Sequence, residues 1–264
     1  MSAPTQSQDG KATGRDTDVM AGFAKGLGVI ECFDAGRPKL SIADVARLTG
    51  LERAVARRCL ITLTRLGYAA FDGKFFTLTP RLLRLGYAYL ASTPLPTVVQ
   101  PFLTRLSEET GESCSASVLD GTEIIYVARA SQRRVLSINL GIGSRLPAYC
   151  ASMGRVLLAA LPDDRMTAIL EASDRRKLTR HTKVAPADLR REIDAVRTKG
   201  FALVDEELEL GLRSIAVPIK DWRGTVVAAM NIGVHAARVS AAQLMRDFLP
   251  KLLAAQQEIA RLLT

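Results

Sequence analysis

Two histidines and four cysteines in 264 residues exclude several chemistries at once. Cys32, Cys59, Cys114 and Cys150 are far apart and form no C-x-x-C pair. With only His181 and His235 beside them, they offer neither a zinc spacing nor a disulfide framework. No metal or cofactor is expected, and a reduced, cytoplasmic compartment is the simplest reading. No apolar run approaches the roughly 18–20 residues of a membrane span. The first twenty residues, MSAPTQSQDGKATGRDTDVM, are polar throughout. They lack the apolar segment of a secretory leader and read as a disordered tail. Phosphate-binding loops, H-E-x-x-H and G-x-S-x-G are all missing.

What is present supports two packed domains: the length suffices, and 48% of residues are hydrophobic. The net charge of +9 is unevenly spread. Residues 21–93 hold eleven Lys/Arg against five Asp/Glu, a balance of +6, whereas residues 94–264 carry +4 over more than twice the length. A basic N-terminal third suggests an anionic partner. Pro94, Pro96 and Pro101 punctuate the boundary. The expected division is a tail over 1–20, a basic domain over 21–80, a linker helix over 81–96 and a second domain over 97–264.

The N-terminal third reads as helix, capped helix, helix, hairpin. Phe23, Leu27, Ile30 and Phe33 form the apolar side of the first helix. Ser41 is an N-cap with Asp44 three residues on, a capping-box pattern, and Gly50 stops the second helix. The third is RAVARRCLITLTRLGY, residues 53–68. At 100° per residue, Val55, Cys59, Leu63 and Leu66 fall within an arc of about 80°, the expected buried stripe. Arg53 and Arg57 point away from it, Arg58 and Arg65 flank the outer face, and small Ala54 lets that face approach a surface closely. YAAFDGKFFTLT then gives two short strands turning at Asp72-Gly73. This order is that of a winged helix-turn-helix, whose third helix enters the DNA major groove. Arg53, Ala54, Arg57, Arg58 and Arg65 are the candidate contacts there. Ser41 heads the preceding helix, and Lys74 sits at the wing tip.

The remainder mixes strands and helices. SCSASVLDGTEIIYVARA reads as a hairpin, RVLSINL as a further strand, and GIGSRLPAYCASMGRVLLAALP as a Gly-rich loop entering a helix near Cys150. DLRREIDAVRTKG is another helix. FALVDEE, SIAVPIK and TVVAAMNIGVH are strands, and a helix from Ser240 to Leu263 ends the chain. The fold class is α+β: a winged helix-turn-helix followed by a GAF/PAS-like sensing domain. Three features suit a pocket: backbone N–H groups opening the helix at YCASMGR, the run VDEELELGLRS, and Asn231 in an apolar strand. The charge run is more often solvated. Cys150 near a helix start admits an enzymatic reading, but it has no recognisable partner, so a small buried Cys is preferred. A nonspecific DNA binder without ligand is the other alternative.

SIADVARLTGLERAVARRCLITLTRLGY resembles the helix-turn-helix of IclR-type bacterial regulators, and LPAYCASMGRVLLA and DEELELGLRSIAVPI resemble that family's effector-domain signatures. RAVARRCLITL and YCASMGRVLLA look most like the Pca/Pob branch, which governs protocatechuate, 4-hydroxybenzoate and β-ketoadipate catabolism. The resemblance implies a ligand-responsive transcriptional regulator rather than an enzyme. It implies a homodimer or homotetramer on a double-stranded operator, assembled through the DNA-binding domain and TPRLLRLGYAYLAS. It also implies a small organic-acid effector held between the sheet and YCASMGR. Matching positions are Ala151, Ser152, Met153 and Gly154, then Ser214, Asn231 and Gly233. Other members often carry Cys at the Ser214 position and Ser at the Asn231 and Gly233 positions. Val204 stands where some members have an acid, which makes Asp205 the substitute. Arg133, Arg134 or Arg145 would meet a second carboxylate.

Overall fold

The computed structural model describes residues 18–131 and 140–263. The chain divides into two compact units between Tyr89 and Leu90. Arg133, Arg134 and the expected strand RVLSINL, save its last residue, lie outside the described residues.

The N-terminal unit comprises α1 (Ala21–Glu31), α2 (Ile42–Thr49), α3 (Arg53–Arg65), β1 (Ala69–Phe71), β2 (Phe76–Leu78) and α4 (Leu83–Ser92), the last running across the division. The capping box forms as the residues dictate: Ser41 Oγ accepts the Asp44 N–H at 3.2 Å, and Asp44 Oδ2 accepts the Ser41 N–H at 3.0 Å. Gly50, at φ +70°, ends α2 in the left-handed region that glycine enters without cost. At the wing, Asp72 Oδ1 accepts the N–H groups of both Lys74 and Phe75, and Gly73 takes the positive φ.

The core of this unit corrects the expected helix phases. Its buried residues on α3 are Ala56, Leu60 and Leu63, not the stripe from Val55 through Cys59 to Leu66. The true face is turned about 70° from the expected one. On α1, Val29 is fully buried while Phe23 and Leu27 stay exposed at 68% and 41%. Both helices carry two apolar faces. One packs with Leu40, Val45, Ala69 and Phe76. The other, Phe23, Leu27 and Ile30 with Val55, Cys59 and Leu66, lines a surface groove that Leu85 also borders. A small domain has core volume for only one of these faces.

The C-terminal unit is an antiparallel six-stranded sheet with helices on both sides. Its strands are β3 (Ser113–Asp120), β4 (Glu123–Ala130), β5 (Arg145–Pro147), β6 (Ala202–Asp205), β7 (Leu212–Lys220) and β8 (Val226–His235), in the order β5-β4-β3-β8-β7-β6. α5 (Pro94–Thr110) and α10 (Leu249–Ala260) cover one face. α6 (Ser152–Ala159) and α8 (Pro186–Lys199) cover the other. α7 (Asp163–Ala172), which the sequence reading passed over, adds Met166 and Leu170 to the second layer, and α9 (Ala241–Gln243) opens the C-terminal helical run. The proline-rich stretch is helical rather than a break: Pro94 takes the first turn of α5, where its missing N–H costs nothing, and Pro101 lies within the helix. The Gly-rich loop yields a short strand first, so the helix starts at Ser152 rather than Cys150.

Strand alternation makes the two sheet faces unequal. On β8, Met230, Ile232 and Val234 point toward α5 and α10, while Asn231 and Gly233 belong to the side of α6. On β3, Cys114 and Ala116 join the first layer, and Ser113 and Ser115 face the second. On β3 and β8 large side chains fill one side, and small and polar ones leave a small cavity within the packed layer on the other.

Candidate functional site

The first candidate surface is the outer side of α3. Arg57, Ala54, Arg65 and Arg58 fall within an arc of about 100°, and all four, with Arg53 and Lys74, are exposed. Among the described residues none of the four arginines pairs with a carboxylate; the salt bridges of this unit are Arg37–Asp34 and Arg47–Asp44. The Lys74 ammonium stands 5.1 Å from the Phe75 ring centroid. Arg58 also borders the apolar groove. Ser41 differs from its expected role. Its hydroxyl donates to Asp44 Oδ2 at 2.7 Å and closes the capping box, so the geometry makes it a cap rather than a free contact.

The second is a cavity of about 30 Å³, room for roughly one water, between the small-residue side of the sheet and the start of α6. Ala151, Ser152, Met153, Ser214, Asn231 and Gly233 line it, so six of the eight expected effector residues meet there. Ser214 and Ser152 share a hydrogen bond of 2.9 Å between hydroxyls. Met153 Sδ accepts the Ser117 hydroxyl at 3.3 Å. Asn231 is 9% exposed, and its Oδ1 is buried without a hydrogen-bond partner.

Two expected residues fall elsewhere. A Cβ on Gly154 would stand 2.2 Å from the Ala148 carbonyl oxygen, so Gly154 is there to let α6 touch the preceding turn. Asp205 is held by Arg213 in two bonds of 2.8 and 2.9 Å and does not line the cavity. Arg145, expected to meet a ligand carboxylate, is engaged by Glu123 and Asp120 at 2.7 Å each.

The cation that does reach the cavity was missed. Arg129, on β4, donates to Ser115 Oγ at 2.9 Å and Ser113 Oγ at 3.4 Å, and it has no carboxylate partner among the described residues. Its signal was a lone guanidinium within the apolar strand EIIYVARA. Also missed was a buried ion pair that does not line this cavity but borders a separate pocket. Glu207 is not solvated: at 4% exposure it accepts both terminal nitrogens of Arg155, itself 1% exposed, at 2.7 Å each. The Lys183 N–H adds a third bond at 2.9 Å. Glu206 beside it adopts φ +55°, a strained conformation for a residue with a Cβ.

The Cys150 thiol borders the cavity but is wholly buried, and that burial pushes its pKa up to about 12. No thiolate nucleophile forms there near neutral pH. Burial likewise raises Tyr126, at the same cavity, to about 12, so its phenol stays protonated.

Comparison with known proteins agrees with this division of labour. The IclR helix-turn-helix domain matches residues 23–73, and the C-terminal domain of bacterial IclR transcriptional regulators matches residues 87–261. The chain belongs to the IclR family of transcriptional regulators. It is 46% identical over 245 residues to the Pca regulon regulatory protein of Pseudomonas putida, covering 92% of this chain and 84% of that one. It is 38% identical over 253 residues to the p-hydroxybenzoate hydroxylase transcriptional activator of Acinetobacter baylyi, covering 94% and 93%. The inducer-binding domain of a PobR double mutant from Acinetobacter, solved with 3-hydroxybenzoic acid, shares 34% identity and a TM-score of 0.60. That match covers 63% of this chain and 98% of that one. The relatives are regulators, not enzymes, and place this chain in the Pca/Pob branch.

Proposed function

We propose that the protein switches transcription of an aromatic-acid catabolic operon, binding its operator through α3 and the wing, and binding the acid in the cavity beside α6. One observation carries the effector half: Arg129 lines that cavity, held by two serine hydroxyls and the face of the Tyr126 ring, with no carboxylate partner among the described residues. A ligand carboxylate is the natural partner for such a guanidinium. The named relatives govern Pca and p-hydroxybenzoate genes, which supports the same chemistry. On the DNA side the contacts are Arg53, Ala54, Arg57, Arg58, Arg65 and Lys74. Two such units reach a two-fold operator when they pair through the apolar groove of α1 and α3, whose Phe23, Val55 and Leu66 are otherwise open to water. A benzoate ring exceeds the present cavity, so binding displaces Leu208 and Leu212 at its edge. That displacement is what the acid can exploit, since only unequal affinity for two arrangements shifts their balance.

Calorimetry with 4-hydroxybenzoate, protocatechuate and β-ketoadipate tests this. Arg129→Gln should weaken the bound acid about 10- to 100-fold while leaving affinity unchanged for an operator selected from random-sequence DNA. Equal affinity of the variant for the acid would remove Arg129 as the anchor. A wild-type protein indifferent to all three acids would remove the effector reading.

A further inference from the structure

We infer that Asn231 is the specificity determinant of the cavity, reading a hydroxyl on the effector's ring in preference to a second carboxylate. The inference rests on the effector reading above and adds to it the class of acid.

Ser115 pairs directly with Arg129 on one side and with Asn231 on the other. The anchor and the amide therefore stand in one row, two strand spacings apart, about 10 Å between strand axes. Arg129 reaches back over β3 to Ser115, which narrows that gap. One aromatic ring with a substituent at each end spans what is left. The next row pairs Ser113 with Gly233 and Gly233 with Ser214. The absence of a side chain on Gly233 keeps the space beside Asn231 open; a Cβ there would meet Leu212 at 3.8 Å.

Within this row Asn231 stands out. Its Oδ1 is buried and accepts from nothing. Buried acceptors are nearly always satisfied. Of the hydroxyls nearest it along the strands, Ser214 donates to Ser152, and Ser113 and Ser115, which accept from Arg129, do not hydrogen-bond to Oδ1. An acid whose far end carries an O–H supplies the missing donor. A far-end carboxylate has no proton to give Oδ1 and leaves that acceptor unsatisfied. A hydroxybenzoate therefore answers Oδ1 where a linear dicarboxylate does not.

Isothermal calorimetry on the full-length protein separates the possibilities, using 4-hydroxybenzoate, 3-hydroxybenzoate, 4-fluorobenzoate, benzoate and adipate. At least one hydroxybenzoate should bind about tenfold or more tighter than benzoate, 4-fluorobenzoate and adipate. Asn231→Leu should erase that preference by weakening the hydroxybenzoate, with benzoate left within about threefold. Asn231→Ser, a smaller change, should retain part of it. The wild-type series stands even if the leucine variant fails to fold. Equal binding of hydroxybenzoates, benzoate and 4-fluorobenzoate would overturn the role of Asn231 and leave the effector site intact, as would tighter binding of adipate. Preference persisting in a folded Asn231→Leu protein would overturn it too. Binding of none of the five acids would overturn the effector reading and this inference with it.

Discussion

Four arginines in each unit are treated in opposite ways. In the C-terminal unit, Arg155, Arg145, Arg197 and Arg213 are each tied to carboxylates within 2.9 Å. In the N-terminal unit, Arg53, Arg57, Arg58 and Arg65 crowd one helix with no such partner among the described residues. A guanidinium answered by a carboxylate of its own chain is structural. One left unanswered keeps its charge for an outside anion, and clustering several of them raises the local potential. Other arginines of that unit, Arg165, Arg175 and Arg223 among them, also lack a carboxylate partner among the described residues; Arg129 differs in lining the cavity. On the proposed function, pairing and place together, rather than charge count, separate scaffold from contact.

The largest effect should come from breaking the pairing where it is buried. Glu207→Ala leaves Arg155 desolvated with only the Tyr149 carbonyl, at 3.0 Å, and Glu192, at 3.5 Å, for company. Removing one member of a buried pair costs about 3–5 kcal/mol. Denaturant unfolding should show that loss in the C-terminal unit. The double variant Arg155→Met, Glu207→Leu should recover most of it. If Glu207→Ala unfolds at the same midpoint as the parent, the pair is not what holds the loop at 206–211.

The corresponding change in the other unit should leave stability alone and strike binding. Arg57→Ala removes an exposed side chain with no intramolecular partner, so unfolding should shift by less than about 0.5 kcal/mol. Affinity for a selected operator should fall by about 1–3 kcal/mol if Arg57 reads a base edge. If it touches phosphate instead, the loss should be uniform across sequences and the salt dependence shallower by about one ion. A gel-shift titration unchanged by the substitution would take α3 off the DNA.

This contrast was half visible in the sequence. The arginine crowding, the Ser41–Asp44 cap, the wing at Asp72-Gly73 and the strands β3, β4, β6, β7 and β8 all follow from local residue chemistry, and the structure shows them. The phase of α3 does not. Val55, Cys59 and Leu66 are as apolar as Ala56 and Leu60, and only the volume left by Val29, Val45 and Phe76 decides which face is buried. Glu207 and Arg155 are 52 residues apart, so their pairing belongs to the tertiary fold. Arg129 was hidden for the same reason, since its neighbours are serines on another strand. Gly154 was legible as a motif residue, yet its reason is a backbone approach that no local pattern records.

The smallest effect compares two helix starts built alike. Ser41 and Ser240 both close capping boxes, but the reciprocal acceptor is a carboxylate at Asp44 and a neutral amide at Gln243. Replacing either serine by alanine should cost about 1 kcal/mol, seen as about fivefold faster hydrogen exchange in the first turn of the affected helix. The two should part with pH. Hydrogen bonds from the Ser41 hydroxyl and N–H hold the Asp44 carboxyl below its ordinary value of 3.8. A carboxyl lowered in the folded state stabilises above its unfolded pKa and loses that contribution as pH falls through the folded one. The cost of Ser41→Ala should therefore shrink as pH drops below about 4, while that of Ser240→Ala stays level, because Gln243 has no proton to gain. Parallel pH profiles for the two variants would show that Asp44 contributes shape, not charge, to the helix preceding the arginines of α3.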